Sequence, residues 1–180
     1  MLIVKKITAG LCFAVLIFSL AYTSFSQNTK ELLCSNVLRL HILASSDSEQ
    51  DIALKYKVRD GLMPVMEEMF NDCKNFEEAE EKAQIGKEIL QSKAEEILKK
   101  HGCDDGVRII IGQKHYDEKV LDGIKYPEGE YCSLRIVIGE GKGHNWWCVL
   151  FSPLTDAGIE RNGDSSGSCN VTFKFLQWFK

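Results

Sequence analysis

The chain has 180 residues, with 26 acidic against 22 basic side chains and a net charge of −4. This length predicts a single domain. The charge argues against a nucleic-acid binder, whose affinity would depend on lysine and arginine neutralising phosphates. Seven cysteines are present without a CxxC or HExxH spacing, so we predict no metal site and no cofactor.

The N-terminal segment has the order of a secretory signal peptide. Two lysines precede an uncharged run over residues 7–22, and small polar residues follow it. We predict a signal peptide over residues 1–26, with cleavage between Ser26 and Gln27. An uncleaved membrane anchor is the alternative, although the run is shorter than the ~20 residues that span a bilayer comfortably.

A strand and a helix open the rest of the chain. Residues 36–43 alternate between an apolar face and a mixed face that carries Arg39 and His41, which predicts a strand. The apolar face consists of Leu38, Leu40 and Ile42. A helix should then run from a capping serine to about Phe70, and Pro64 should kink or divide it.

The second half of the chain changes from helical to strand periodicity. Residues 76–101 predict one long helix that ends before Gly102. The strands predicted after it cover residues 107–112, 116–125, 131–138 and 145–151. We therefore predict an α+β domain over 27–151: a mostly antiparallel sheet of about four to five strands, with two long helices packed on one face. A polar tail with an aromatic end covers 152–180.

Two segments of this predicted domain carry unusual motifs. The first reads LRLHILASSDS at residues 38–48 and DIALKYKVRD at 51–60. The second reads PEGEY at 127–131 and LRIVIGEGKGHNWWCVLF at 134–151. Their residues, order and separation resemble the stage II sporulation protein R family.

That resemblance implies a signalling protein of endospore formation. Members are made in the forespore and exported into the space between the forespore and mother-cell membranes. The partner it implies is a membrane-embedded aspartic protease, which the protein activates and which processes the sigma-E precursor. We accordingly expect a secreted, membrane-proximal protein with a possible N-terminal anchor, and no enzymatic activity of its own.

The family motifs also supply candidate partner-binding residues. They are His41, Asp47, Ser48, Lys55, Arg59, Asp60, Arg135, Asn145, Trp146, Trp147 and Cys148. Several surround a strand end and a helix start, where loops and free amides often form binding sites. The alternative is structural: Asp47 caps the helix and Arg59 bridges to the sheet. For the adjacent tryptophans, we expect one in the core and one outward, unless helices and tail cover both.

Two other functions remain open at the level of sequence. An exported cysteine-dependent hydrolase would use Cys148 as nucleophile, with His144 or His41 as its base. A structural envelope protein would need neither. The family commonly has a cysteine seven residues after Cys148, where this chain has Thr155. Cys148 is therefore free or pairs with Cys169, and the pairing of the remaining cysteines is undetermined.

Overall fold

A computed structural model of the chain describes residues 2–121 and 124–152. Within this part of the chain, one helix and one strand are followed by three helices and then by five strands. The helices are α1 (Leu2–Ser35), α2 (Glu49–Phe70), α3 (Phe76–Ile85) and α4 (Lys87–Lys100). The strands are β1 (Leu38–Leu43), β2 (Val107–Tyr116), β3 (Lys119–Leu121), β4 (Ile124–Tyr126), β5 (Gly129–Ile138) and β6 (Asn145–Phe151).

The main sheet has the strand order β2-β5-β1-β6. β1 runs parallel to β5 and antiparallel to β6, while β2 and β5 form an antiparallel ribbon. The α+β class is confirmed, but the central strand pair is parallel rather than antiparallel. The connection from β1 to β5 contains three helices and supplies the long crossover that parallel pairing needs. β3 and β4 form a separate two-stranded sheet.

The helices differ from the prediction at two residues. α2 continues through Pro64 without dividing. Pro64 has no amide hydrogen to donate to the carbonyl of Asp60, four residues earlier in the helix. Both residues lie on the solvent-exposed side of α2. The helix predicted over 76–101 is instead divided at Gly86. The terminal atoms of the Met69 side chain on α2 pack against Gly86, so a close contact with α2 accompanies the break.

One face of the sheet packs against α2, α3 and α4. The predicted apolar face of β1 is confirmed, because Leu38, Leu40 and Ile42 are fully buried. The helices contribute Val58, Leu62, Ala83, Leu90 and Leu98 to the same core. Burying each large aliphatic side chain contributes about 1.5–3 kcal/mol, so this layer carries most of the folding free energy.

The second face of the sheet is covered as well. Arg39 and His41 point to this side and are 1% and 3% exposed. The apolar cluster here consists of Cys34, Val37, Tyr126 and Tyr131, with Tyr116, Leu121, Trp147 and Val149 packed against it. The end of α1 and the β3–β4 ribbon thus bury two basic side chains that the sequence placed on a mixed face.

The β2–β5 ribbon bends over this second face. Tyr116 pairs with Gly129 at one end of the ribbon, and Arg135 pairs with His41 further along β5. In a straight strand the six residue steps from Gly129 to Arg135 would span about 20 Å. The rings of Tyr116 and His41 nevertheless lie 4.1 Å apart, which requires the outer half of the ribbon to fold back.

Helix α1 contains a stretch able to cross a membrane. The window Gly10–Gln27 is apolar, 18 residues long and entirely exposed, consistent with a signal peptide or an anchor. The predicted cleavage site between Ser26 and Gln27 falls inside α1, which continues to Ser35. The tail from residue 153, including Cys169, lies outside the described residues.

Candidate functional site

The end of β1, the start of α2 and the β5–β6 turn meet at one edge of the domain. Ser48 caps α2 as predicted, because its hydroxyl accepts a 3.1 Å hydrogen bond from the Asp51 amide. Asp47 does not cap the helix. Its carboxylate accepts from the amide of His144 at 2.5 Å and contacts the Nδ1 atom at 2.6 Å. These bonds lower the pKa of Asp47 below its usual value.

Lys55 completes this junction from the helix side. Its ammonium group donates a 2.7 Å hydrogen bond to the carbonyl of His144. Desolvation lowers the pKa of Lys55, while the charge of Asp47 raises it. Since Lys55 is buried and already bonded, it holds the turn on α2 and offers little surface to a partner.

The glycines of the β5–β6 turn are required by its conformation. Gly139 and Gly141 have φ angles of +54° and +68°, in the left-handed region that favours glycine. Gly143 donates its amide to the carbonyl of Ala44 at 3.0 Å. A Cβ atom on Gly143 would lie 2.6 Å from the carbonyl carbon of Ser46. The turn therefore depends on close backbone contact.

A surface patch lies beside this junction, and we call Tyr56, Arg59, Asp60 and Trp146 the α2–β6 patch. The Arg59 guanidinium lies 4.6 Å from the ring centroid of Tyr56 and 5.3 Å from that of Trp146. It also forms a 2.7 Å ion pair with Asp60. Arg59 thus contacts the sheet through the ring of Trp146, and Tyr56 is 38% exposed.

Arg39 occupies an aromatic enclosure on the opposite face of the sheet. Its guanidinium carbon lies 3.5 Å from the ring centroid of Tyr131. The rings of Trp147, Tyr116 and Tyr126 lie at 5.2, 5.3 and 5.7 Å. We call these four rings the aromatic box. Burial lowers the pKa of Arg39, and the rings offset part of that cost through cation–π attraction.

His41 adjoins the aromatic box. Its ring stacks on Tyr116 with planes 3° apart, and its Nδ1 atom contacts the amide nitrogen of Asn145 at 2.6 Å. Burial lowers the pKa of His41 to about 4. His41 is therefore neutral near pH 7, and its role in this enclosure is that of a hydrogen-bonding group rather than a charge.

The register divides the candidate residues between the two faces. β1 pairs Ile42 with Trp146 and His41 with both Trp147 and Arg135. Trp146 therefore packs towards the helices, Trp147 forms part of the aromatic box on the other face, and each is half-buried. Both tryptophans are thus covered in part, and on the second face Tyr126 of β4 contacts Trp147.

Cys148 lies in the helix-facing core and not beside a base. It pairs with Leu40, it is 7% exposed, and burial raises the pKa of its thiol to about 12. His41 points to the other face, and His144 is bonded to Asp47 at the turn. This arrangement supplies no activated thiol for the hydrolase alternative.

The remaining cysteines and acids add no metal site in the part of the chain that the structure describes. Residues 2–121 and 124–152 contain no group of three His, Cys, Asp or Glu side chains placed to hold an ion. The described cysteines are free thiols: Cys12, Cys34, Cys73, Cys103, Cys132 and Cys148.

Several residues of these sites were absent from the sequence-based candidates. Tyr56 was missed although it lies within the first family motif, and His144 was considered only as a base for Cys148. The alternation of the first predicted strand put Arg39 on the same face as His41, and this pattern could have identified Arg39 as a candidate. Tyr116 carried no signal, because its contact with His41 depends on the bend of the β2–β5 ribbon.

Comparison with known proteins matches the sequence of this chain to a known family. A family model described as stage II sporulation protein R matches residues 34–160. The chain is 33% identical over 158 residues to the Stage II sporulation protein R of Bacillus subtilis (strain 168), an alignment that covers 84% of this chain and 70% of that protein. No solved structure gives a significant match. The chain therefore belongs to the stage II sporulation protein R family.

Proposed function

We propose that this protein is an exported ligand that activates the membrane-embedded aspartic protease processing the sigma-E precursor during sporulation. Membership of a sporulation signalling family is the observation that carries the proposal. Activation requires a ligand that binds the active state of its receptor more tightly than the inactive one. Binding energy alone suffices for this, and no bond-breaking step by the ligand is needed.

The N-terminal helix supports a location at the membrane. The apolar window ends at Gln27, and the buried Cys34 marks where α1 meets the folded body. Seven helical steps lead from Gln27 to Cys34, a rise of about 10 Å. A retained helix would hold the body close to the bilayer surface, and a cleaved one would release it between the two membranes. Both cases place the body within reach of a membrane-embedded receptor.

The α2–β6 patch is the surface that we assign to receptor contact. Its two aromatic rings are the exposed Tyr56 and the half-buried Trp146, and aromatic side chains dominate the energetics of many protein interfaces. Arg59 is only 6% exposed and contributes by holding these two rings in place. Asp60 is exposed next to that arginine, and its carboxylate adds a negative charge to the patch. The junction of Asp47, Lys55 and His144 stabilises the adjoining loops and so keeps this surface in one conformation.

A co-expression assay tests the function. The protease and the sigma-E precursor are produced together in a non-sporulating bacterium, with or without the exported full chain. We expect cleavage of the precursor to depend on the chain, as judged by immunoblotting. Equal cleavage in both strains would end the proposal for this protein.

Two surface variants test the patch in the same assay. Tyr56→Ala removes an exposed ring and should reduce cleavage by about tenfold, in line with loss of an interface anchor. The matched control is Ile89→Ala, which truncates an exposed side chain on α4 and should leave cleavage unchanged. Loss of cleavage with Ile89→Ala alone would move the contact surface to α4 and contradict the assignment of the patch.

A further inference from the structure

The second face of the sheet contains a cavity of about 210 Å³ that receptor contact through the α2–β6 patch would not use. Arg39 and His41 form part of its wall. The other lining residues are His115, Tyr116, Asp117, Lys119, Asn145 and Trp147. The cavity therefore joins the aromatic box to the exposed start of β3.

Four buried nitrogen atoms on this face have no hydrogen-bond partner among the described residues. They are Nε and Nη2 of Arg39, Nε2 of His41 and Nε of Arg135. Asn145 can offer its amide nitrogen to His41 only as a donor, so Nδ1 accepts and Nε2 carries the hydrogen. All four atoms are thus N–H donors, and buried donors without acceptors are rare in folded proteins.

The described part of the protein supplies no hydrogen-bond acceptor to these four donors. The four rings of the aromatic box attract the positive charge of Arg39. Three of them are tyrosines whose hydroxyl oxygens can accept hydrogen bonds, but none of these oxygens bonds Nε or Nη2 of Arg39, and the buried hydroxyl of Tyr116 is itself without a partner among the described residues. Among the described residues, no aspartate or glutamate forms an ion pair with Arg39. An enclosure with unpaired donors, a buried cation and an adjoining cavity lacks an anionic acceptor.

We propose that this cavity binds a carboxylate group, with Arg39 as its charge partner and His41 as a second donor. Its volume is that of several water molecules, which admits a carboxylate with a short methylene stem and excludes a folded segment. Apart from His115, the charged residues that line the cavity are two basic ones, Arg39 and Lys119, and one acidic one, Asp117. One net positive charge suits a singly charged carboxylate better than a phosphate dianion.

His115 at the rim does not compete for this role. Its ring nitrogens lie 3.5 Å and 3.4 Å from the carboxylates of Glu128 and Glu130. The carboxylate could belong to a small organic acid or to an acidic side chain of another protein. Both sources present the same chemistry to Arg39, and the probes below distinguish them.

Nuclear magnetic resonance on the full chain in detergent micelles tests the assignment. The sequence contains five arginines, so the Nε–H signal of Arg39 can be identified with an Arg39→Lys sample. The probes are butyrate, an acetylated and amidated Gly-Glu-Gly peptide, its Gln counterpart and inorganic phosphate. We expect a saturable shift of the Arg39 signal with butyrate or the Glu peptide, and none with the Gln peptide.

The two carboxylate probes identify the source. Binding of butyrate alone indicates a small organic acid, and binding of the Glu peptide indicates an acidic side chain. No shift with either probe would refute the proposal, and a shift with phosphate alone would refute the assignment of a carboxylate.

Variants give a second readout by calorimetry. Arg39→Lys keeps the charge but loses the planar fork, and should weaken binding at least about tenfold. Lys119→Ala removes an exposed cation from the rim without threatening the core, and should weaken binding about threefold. Lys100→Ala on α4 is the matched control and should bind as the unaltered chain does. If Lys119→Ala and Arg39→Lys both bind the carboxylate as tightly as the unaltered chain does, the proposal is overturned. If Arg39→Lys does not fold, Lys119→Ala alone decides the test.

Discussion

One carboxylate oxygen of Asp47 bonds twice to His144, at 2.5 Å to the backbone amide and at 2.6 Å to the ring. The two residues are 97 positions apart in sequence. Lys55 bonds the carbonyl of the same histidine, so both polar groups of the His144 backbone are held by residues at the start of α2. This junction joins the first family motif to the second.

The first prediction concerns the acid stability of this junction. The pKa of Asp47 lies below its usual value of 3.8 because the bonds from His144 favour the carboxylate. The stabilisation is therefore present above pH 3.8 and is lost as the pH falls through the lower folded-state pKa. Asp47→Asn should be less stable than the unaltered chain at neutral pH, and the difference should shrink in acid. Urea denaturation across the acid range measures this.

Asp104→Asn, which alters an exposed aspartate before β2, is the matched control and should be close to neutral. A difference between Asp47→Asn and the unaltered chain that stays constant as the pH falls would contradict the linkage.

The second prediction concerns the buried imidazole of His41. Its pKa is about 4 in the folded chain against 6.5 for an ordinary histidine. Between these values the unfolded chain binds a proton that the folded chain does not, so stability falls as the pH drops from 6.5 to about 4. The slope should reach about 1.4 kcal/mol per pH unit. His41→Phe keeps a ring for stacking on Tyr116 and should flatten this slope.

The titration of the His41 ring, followed by its Cε1–H resonance, should show a midpoint near the same value of about 4. His101→Gln at the exposed end of α4 should leave the slope in place. A His41 midpoint near 6.5 would show that the ring is solvated and would contradict its burial.

The third prediction concerns the backbone contact at Gly143. A Cβ atom there would lie 2.6 Å from the carbonyl carbon of Ser46, and backbone cannot move aside as a side chain can. Gly143→Ala should destabilise the fold by about 1–3 kcal/mol and displace the loop that carries Asp47. Gly106→Ala is the control, because no atom lies within 4 Å of its added Cβ. Urea midpoints measure both, and equal values would contradict the predicted clash.

The sequence predicted those parts of the fold that depend on local pattern. Alternation on β1 located Leu40 in the core, and the limits of β6 were predicted to the residue. The parallel pairing of β1 with β5 was not predictable, because a strand has the same two-residue period in parallel and antiparallel sheets. The division at Gly86 was missed for a similar reason, since helical spacing continues across it while packing against Met69 accompanies the break.

The candidate site was predicted less completely than the fold. The family motifs identified residues on both faces of the sheet, and only the register separates Trp146 from Trp147. The burial of Arg39 depends on Tyr126 and Tyr131, which lie about 90 residues further along the chain. No local pattern carries that information. An alternating strand with two basic residues on one face is normally taken to be solvated there.

The last prediction concerns Cys148 and separates signalling from cysteine chemistry. Its thiol is enclosed by the core, and a pKa of about 12 leaves almost no thiolate near pH 7. Cys148→Ala should therefore support cleavage of the sigma-E precursor as well as the unaltered chain does. It should also lose about 1 kcal/mol of stability, as expected for removal of a small buried group. Cys148→Ser buries a hydroxyl and should be less stable than the alanine variant.

The reactivity of the thiol gives an independent measurement. In the folded chain iodoacetamide should leave the buried Cys148 unmodified until denaturant is added, as judged by peptide mass spectrometry. A folded Cys148→Ala variant that binds the protease yet fails to activate it would favour the hydrolase alternative. Rapid alkylation of Cys148 under native conditions would show that its side of β6 opens, because a buried neutral thiol reacts too slowly to account for it.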